Sequence, residues 1–415
     1  MDMTAAISWR RNALPNGLTI LLFPRRSSNT TQLSVAVEYG SNQEPEENAG
    51  VAHFLEHMVA GGSTKRIQLS RSIENSGGIL DLYTDHEHMM STMDFLPEKT
   101  AEASSILSQL LFAGGFEEEK FTQERKIILN ELAEALDDPA EIIEDLLLKN
   151  LFKEHPVKRP VGGYPKAVKQ LTIDQLAASH RANYVPENMI LILTGNFSEK
   201  LAEKALENFQ DKNTAQKYSK KGYPPEIAKP KPLTIKRKAG IAQTYLSIGA
   251  RTVSSGHKDA TVLDLLSAVL SGGTSSRLFV ELREKHALTY DVNSDHNKGL
   301  DFGYFNVNCA VKDKNLTIAR KMILNEFSKL KMEKVPDDEL DRSKNLIIGG
   351  ILRGMDNPQE ALEIIAYLEM QYKSERALVD YIAKVKAVSS EQIIDAANVY
   401  LDERTLSTVI LQPKK

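Results

Sequence analysis

The chain is predicted to be α+β, built from two homologous duplicated domains, each a mostly antiparallel sheet packed with helices. Three observations lead there. Strand-like alternating runs and amphipathic helical stretches follow one another through the first half. The second half repeats the first at a nearly constant offset. The length, 415 residues, exceeds what one core ordinarily fills.

The elements can be read in order. NALPNGLTILLFPRR carries the turn Pro15-Asn16-Gly17 and then a β-branched run, a strand–turn–strand signal. TTQLSVAVEYG alternates as a strand. ENAGVAHFLEHMVAGG changes to helical spacing and stops at Gly61-Gly62. ILDLYTDHEHMMSTMDF alternates again. EKTAEASSILSQLLFAGG is an amphipathic helix ending in Gly114-Gly115. A longer helical region runs from Phe116 toward Asp137-Asp138-Pro139, where the proline interrupts it. MILILTGNF closes the half as a buried strand. Residues 212–238 hold nine Lys/Arg, one Glu and four Pro, the composition of a solvated, semi-rigid connector. The expected organisation is therefore a domain at 1–211, a basic linker at 212–238 and a second domain at 239–415.

The repeat is explicit. TTQLSVAVEYG aligns with QTYLSIGARTV, ILNELAEALDDPAE with IIGGILRGMDNPQE, and LTIDQLAASHRANY with VSSEQIIDAANVYL, at offsets between 211 and 219 residues. It also supplies a control. His53, Glu56 and His57 fall on Asp264, Ser267 and Ala268, while Glu124 and Glu131 fall on Ser343 and Gly350. The frame is shared and the polar set is not, so the fold does not require these residues, which do chemistry in the first copy or did so once.

Composition narrows the function. Lys+Arg is 52 and Asp+Glu 56, a net charge of −4, so no global field attracts nucleic acid or anionic lipid. The single cysteine, Cys309, allows no intrachain disulfide and reads as a buried small side chain. No apolar run reaches the span of a bilayer, and the N-terminus lacks a signal-type apolar stretch. The expectation is a cytoplasmic protein with neither membrane nor nucleic-acid partners.

In His53-Phe54-Leu55-Glu56-His57 the histidines stand at i and i+4, so both imidazoles project from one helix face and can reach one metal ion. Glu56 lies beside them. A neutral imidazole pair suits Zn²⁺, which needs a third protein ligand and an open position for water. Glu124 and Glu131, two helical turns apart on one face, both offer that ligand; the other is free to receive a histidine N–H. His86 and His88 alternate along a strand, but no third ligand accompanies them, and they read as polar strand positions.

This set resembles the pitrilysin family of inverted-motif zinc peptidases, to which mitochondrial processing peptidase belongs. The resemblance rests on H-x-x-E-H at 53–57, a Glu 74 residues after His57, LPNGL near the start and NELAEALDDP. It implies that His53, His57 and Glu131 bind one Zn²⁺ per chain, that Glu124 supports them from behind, and that Glu56 is the general base. It further implies that Arg283 and Tyr290, seven apart in the second half, hold substrate and the tetrahedral intermediate. Asp81, Leu82, Tyr83 and Thr84 match the family strand on which an extended substrate is held. The family usually has Asn-Ala where this chain has Asp81-Leu82; Asp81 would disfavour acidic peptides and Leu82 would narrow the cleft.

The resemblance thus implies a zinc-dependent metalloendopeptidase acting on unfolded peptides or short polypeptides. Some members divide the zinc set and the Arg/Tyr pair between subunits. This chain carries both, so the expectation is a homodimer with composite active sites lining a chamber. The alternatives are a non-catalytic structural or assembly subunit of the same fold, and a peptidase subunit that needs a different homologous partner.

Overall fold

The structure is a computed structural model and describes residues 9–212, 222–227 and 229–414. Part of the expected linker, 213–221 and 228, lies outside the described residues. Helix accounts for 53% and strand for 19%.

The first half contains six strands, β1 (Arg10–Ala13), β2 (Thr19–Pro24), β3 (Thr31–Val37), β4 (Ile79–Thr84), β5 (Met89–Phe95) and β6 (Met189–Gly195). They form one sheet in the order β1-β2-β6-β3-β5-β4, with β2 and β6 its parallel pair. Its main helices are α1 (Val51–Gly61), α2 (Thr64–Asn75), α3 (Glu118–Ala135) and α4 (Pro139–Leu151). The second half contributes β7 (Leu233–Lys238), β8 (Thr244–Arg251), β9 (Val292–Lys298), β10 (Gly303–Val311) and β11 (Ser407–Pro413), in the order β7-β11-β8-β10-β9. β7 and β11 are the parallel pair here. Laid over one another, the two orders match strand for strand, β1 being the one addition. The helices α5 (Ala260–Ser271), α6 (Asp337–Asp356) and α7 (Pro358–Tyr372) complete the labels used below.

The repeat extends to the helix caps. Thr172 and Gln175 form a capping box at the start of Ile173–Asn183, and Ser389 and Gln392 form the same box at Ser390–Tyr400. Asp138 caps α4 and Asn357 caps α7, each before a proline that fits the first helical turn.

The compact units do not follow the expected boundaries at 211 and 239. One unit comprises Met1–Glu134, Arg159–Lys221 and Gly354–Leu378; the other comprises Ala135–Lys158, Gly222–Arg353 and Val379–Lys415. Two helices have changed places. α4, from the first half, packs on β8 and β11, and α7, from the second half, packs on β6 and β3. The expected linker also ends early. Leu233–Lys238 is strand β7, the counterpart of β2, and its sequence hides this because an edge strand with mostly exposed side chains can carry Lys-Arg-Lys.

Each unit has its own apolar core, and Cys309 lies in the second, buried, with its thiol pushed up to about 12 by burial. In the first unit Arg66 is 1% exposed and donates to the carbonyls of Val59, Leu110 and Ala113. It thereby ties together the ends of α1 and of the helix Thr100–Phe112, satisfying carbonyls that helix termini leave open. No helix among the described residues is long and apolar enough to cross a membrane.

Beside Arg66, His180 is buried against Tyr184 and Phe116 with its Nε2 at 2.8 Å from the Leu111 carbonyl. Burial, then the Arg66 charge, lower its pKa from 6.5 to about 4. The unfolded chain therefore takes up this proton first. The contribution of His180 to stability is complete above about pH 6.5 and is lost as pH falls toward 4, an effect of about 3 kcal/mol. His180→Gln is expected to flatten the fall in thermal midpoint across that window. An unchanged slope in a pH series of melts would remove His180 from the account.

Candidate metal centre

The site is built on α1, and the local sequence explains why that helix stands where it does. Its inner face buries Val51, Ala52, Phe54, Leu55, Met58 and Val59. Its N-terminus starts from Gly50 at φ 99°, a conformation suited to glycine. The buried Glu44 side chain accepts from the backbone N–H of Gly50 and of Ala52 at 2.9 and 2.7 Å, satisfying two donors at the helix start, while burial raises its carboxyl to about 8. Glu44 was not singled out in the sequence, because it lies six residues upstream and no local capping pattern marks it. The ring of Phe54 stacks on Phe121 at 4.9 Å and docks α1 against α3. At the far end, a Cβ on Gly61 would come within 2.8 Å of Glu124 Oε1, so glycine is what lets that carboxylate approach.

Three donor groups converge there. His53 and His57 rings lie 4.9 Å apart and perpendicular. Glu131 Oε2 is 3.3 Å from His57 Nε2 and 3.8 Å from His53 Nε2. Donor atoms of His53, His57 and Glu131 all fall within 4.8 Å of one another. Glu124 Oε2 sits behind, 3.1 Å from His57 Nδ1, which turns the Nε2 of that ring toward Glu131. Sequence spacing left Glu124 and Glu131 as equal candidates; in the structure Glu131 lies nearer both Nε2 atoms and Glu124 nearer His57 Nδ1.

The electrostatics fit a divalent cation. Burial, with the neighbouring His57, lowers His53 to about 4, so its imidazole is neutral at pH 7. Burial works to lower His57, but its hydrogen bond with Glu124 and the charges of Glu131 and Glu56 carry it above its ordinary value. Three carboxylates around two imidazoles leave an excess of negative charge. His53 Nδ1 is buried and without a partner.

Glu56 is beside this group without joining it. Its Oε2 accepts from the Thr84 hydroxyl at 2.7 Å, and burial raises its carboxyl above the usual range. Thr84 was expected to contact substrate; in the structure its hydroxyl donates to Glu56. On β4 the side chains alternate. Leu82 lines a cavity of about 500 Å³ that reaches Glu56, His57 and Glu124. Asp81 takes a hydrogen bond from Gln359 of α7 at 3.3 Å, and the Tyr83 hydroxyl is 3.3 Å from His88 Nε2. Among the described residues β4 is the last strand of its sheet, and no strand pairs with its outer edge. His86 Nδ1 lies 3.0 Å from Ser41 Oγ, and His88 Nδ1 lies 2.9 Å from Asp85 Oδ2.

Arg283 and Tyr290 belong to the other unit. Arg283 sits on a π-helical segment, Phe279–Lys285, an irregularity often found at functional sites. Its guanidinium lies 4.5 Å over the Tyr290 ring and 4.7 Å over Phe279. The chain turns at Ala287, φ 47°, and Tyr290 is 81% exposed. The counterpart of α1 in this unit is α5. There Asp264 takes the place aligned with His53 and is held by Tyr381 and His296 at 2.7 and 2.8 Å and by Lys298. Ser267, aligned with Glu56, donates to the Ser294 carbonyl at 2.6 Å. The second copy closes the same space with an internal polar network.

A duplicated α+β frame bearing an inverted His-x-x-Glu-His helix in its first copy defines a class of zinc-peptidase-like chains. The insulinase model of peptidase family M16 matches residues 20–165, and the model described as the peptidase M16 inactive domain matches residues 170–347. The chain belongs to peptidase family M16. An uncharacterized zinc protease of Mycobacterium tuberculosis is 27% identical over 415 residues, covering 99% of this chain and 94% of that one. The uncharacterized zinc protease YmxG of Bacillus subtilis is 26% identical over 388 residues, covering 92% and 93%. In structure, a protease from Helicobacter pylori superposes with a TM-score of 0.90 at 19% identity, covering 98% of this chain and all of that one. An M16 inactive-domain protein from Pseudomonas fluorescens gives 0.87 at 21%, covering 98% of each. The two relatives are named zinc proteases, and the two solved structures share the fold of this chain.

Proposed function

We propose that the chain is a zinc-dependent metalloendopeptidase that hydrolyses unfolded peptides or short polypeptides. The observation that carries this reading is the convergence of His53, His57 and Glu131 beside a carboxylate, Glu56, that the group does not use. His53 Nε2, His57 Nε2 and a Glu131 oxygen would hold one Zn²⁺ per chain, with Glu124 fixing the His57 tautomer. When bound, zinc supplies a Lewis acid and lowers the pKa of a coordinated water toward neutrality.

The remaining steps belong to the chain. Oε2 of Glu56 is anchored by Thr84, which leaves Oε1 to accept a proton from water and later pass it to the departing amine. An extended substrate would pair with the open edge of β4. Arg283 and the Tyr290 hydroxyl would donate to the carbonyl oxygen as it gains charge. The test is cleavage of an unstructured fluorogenic peptide, lost on chelation and regained with zinc. A chain that holds one zinc and cleaves nothing contradicts the reading.

Thr84→Val keeps the shape of β4 and removes the donor to Glu56. It is expected to lower kcat about tenfold with KM nearly unchanged, because a poorly oriented base affects the chemical step alone. A change confined to KM would return Thr84 to substrate contact.

We further propose a homodimer in which the metal-bearing unit of one chain is completed by Arg283 and Tyr290 of its partner. Glu56→Gln and Tyr290→Phe chains, each impaired alone, are then expected to regain up to about a quarter of wild-type activity on mixing, as statistical exchange restores one intact site in half of the dimers. No recovery after verified subunit exchange would contradict the shared site.

A further inference from the structure

The duplication gives each strand position of one sheet a counterpart in the other, and two positions are treated differently. The ladders fix the correspondence. Leu22 of β2 lies opposite Leu193, which lies opposite Leu33. Ile235 of β7 lies opposite Ile410, which lies opposite Leu246. Leu33 aligns with Leu246 in the repeat, so Leu22 corresponds to Ile235 and Ile20 to Leu233. In the first unit Ile20 is 1% and Leu22 5% exposed; in the second, Leu233 is 46% and Ile235 55% exposed. One frame hides this apolar pair and the other shows it to water.

In the first unit the helix Glu199–Gln210 brings Ala202 and Phe209 into the core cluster that holds Ile20 and Leu22. It runs along the helix Thr100–Phe112, where Ser104 and Ser108 donate to the carbonyls of Ala205 and Asn208. The counterpart of Thr100–Phe112 is Leu316–Met332; each follows a short 3-10 turn, Pro97–Lys99 and Asp313–Asn315. Ser104 and Ser108 therefore correspond to Arg320 and Leu324. Among the described residues no helix takes the place of Glu199–Gln210 in the second unit, and no strand pairs with the outer edge of β7. Leu233 and Ile235 do not belong to the second core cluster, while Ile410 beside Ile235 does.

The charges around this bare face are positive. Arg237 stands on the same face of β7 as Leu233 and Ile235 by strand alternation, and β7 carries no acid. Arg237 and Arg320 are exposed, and neither has an ion-pair partner among the described residues. Lysines on an edge strand oppose the addition of a further strand, which favours a helix laid on the face. A second copy of the same face would set like charges against one another. Residues 213–221, with three lysines and no acid, do not complement it either. We propose that Leu233, Ile235 and Leu324, rimmed by Arg237 and Arg320, dock an acidic amphipathic helix of a partner protein. That helix would lay its apolar stripe over Leu233 and Ile235, as Glu199–Gln210 turns Ala202 and Phe209 into the first core, and its carboxylates would meet the two arginines. The inference goes beyond the peptidase reading and does not depend on it.

The probe is a labelled peptide with the sequence of Glu199–Gln210 carrying Lys200→Glu and Lys204→Glu, held helical by a staple between positions 203 and 207. Its counterpart has lysine at 199, 200 and 204. Binding to the full chain carrying Glu56→Gln, which prevents turnover, is read by fluorescence anisotropy. The acidic probe is expected to bind about tenfold more tightly than the lysine probe. Ile235→Ser is expected to weaken the acidic probe about tenfold, the scale of one buried apolar side chain. Arg237→Glu together with Arg320→Glu is expected to make the lysine probe the tighter one. All three positions are exposed, so the thermal midpoints of these variants should match the parent. No binding of the acidic probe, equal affinity for the two probes, or acidic binding unchanged by Ile235→Ser overturns the docking site. Self-association in sedimentation velocity that Ile235→Ser abolishes would place a second copy on this face and overturn it as well.

Discussion

Glu56→Gln is expected to lower peptide hydrolysis about 10³-fold or more while zinc content and KM stay close to wild type. The reasoning follows from position. Glu56 is on the same helix face as the histidines, yet its Oε2 is hydrogen-bonded to Thr84 at 2.7 Å rather than directed into the donor group. Glutamine keeps the length and can still accept from the Thr84 hydroxyl, so the fold and the three ligands are undisturbed. What it cannot do is take a proton from water. A variant that loses zinc along with activity would mean that Glu56 holds the metal, directly or through His57. A variant that retains most of its activity would move the base elsewhere.

Substitutions at His57 and Glu124 should separate holding the metal from orienting its ligand. His57→Ala removes one of three ligands and is expected to leave less than about a tenth of a zinc per purified chain. Zinc added to the stripped wild-type chain should raise its thermal midpoint, since a metal bound at about a thousand times its Kd stabilises by about 4 kcal/mol. The same addition should do nothing for His57→Ala. Glu124→Gln keeps an oxygen that can accept from His57 Nδ1, 3.1 Å away, but drops the charge. It is expected to weaken zinc about tenfold, the low end for a residue that orients a metal ligand. Competition with a chelator of known affinity measures both. Full zinc affinity in Glu124→Gln would make that contact incidental.

Much of this was legible in the sequence because its signals are local. The histidine pair, Glu56 and the two later carboxylates each depend on helical spacing, which survives into the structure unchanged. Gly61-Gly62 and Pro139 marked helix ends where they were expected. The exchange of α4 and α7 was not legible, because a helix's amphipathic pattern does not say which of two similar sheets it will cover. β7 was lost in the basic linker for a related reason: an edge strand needs few apolar residues. Thr84 and Glu44 escaped because their roles are tertiary, a hydroxyl reaching from an edge strand and a carboxylate folding back over a helix start. The Arg283–Tyr290 contact depends on a π-helical segment and a left-handed turn at Ala287, neither of which a seven-residue spacing encodes.

The measurement that tests the central claim most directly is a crystal structure of the Glu56→Gln chain with zinc and a bound peptide, using zinc anomalous scattering. The expected result is one peak per chain contacting His53 Nε2, His57 Nε2 and Glu131, with the peptide paired to the edge of β4 and a backbone carbonyl beside position 56. A peak elsewhere, or a peptide bound away from that edge, would contradict the account.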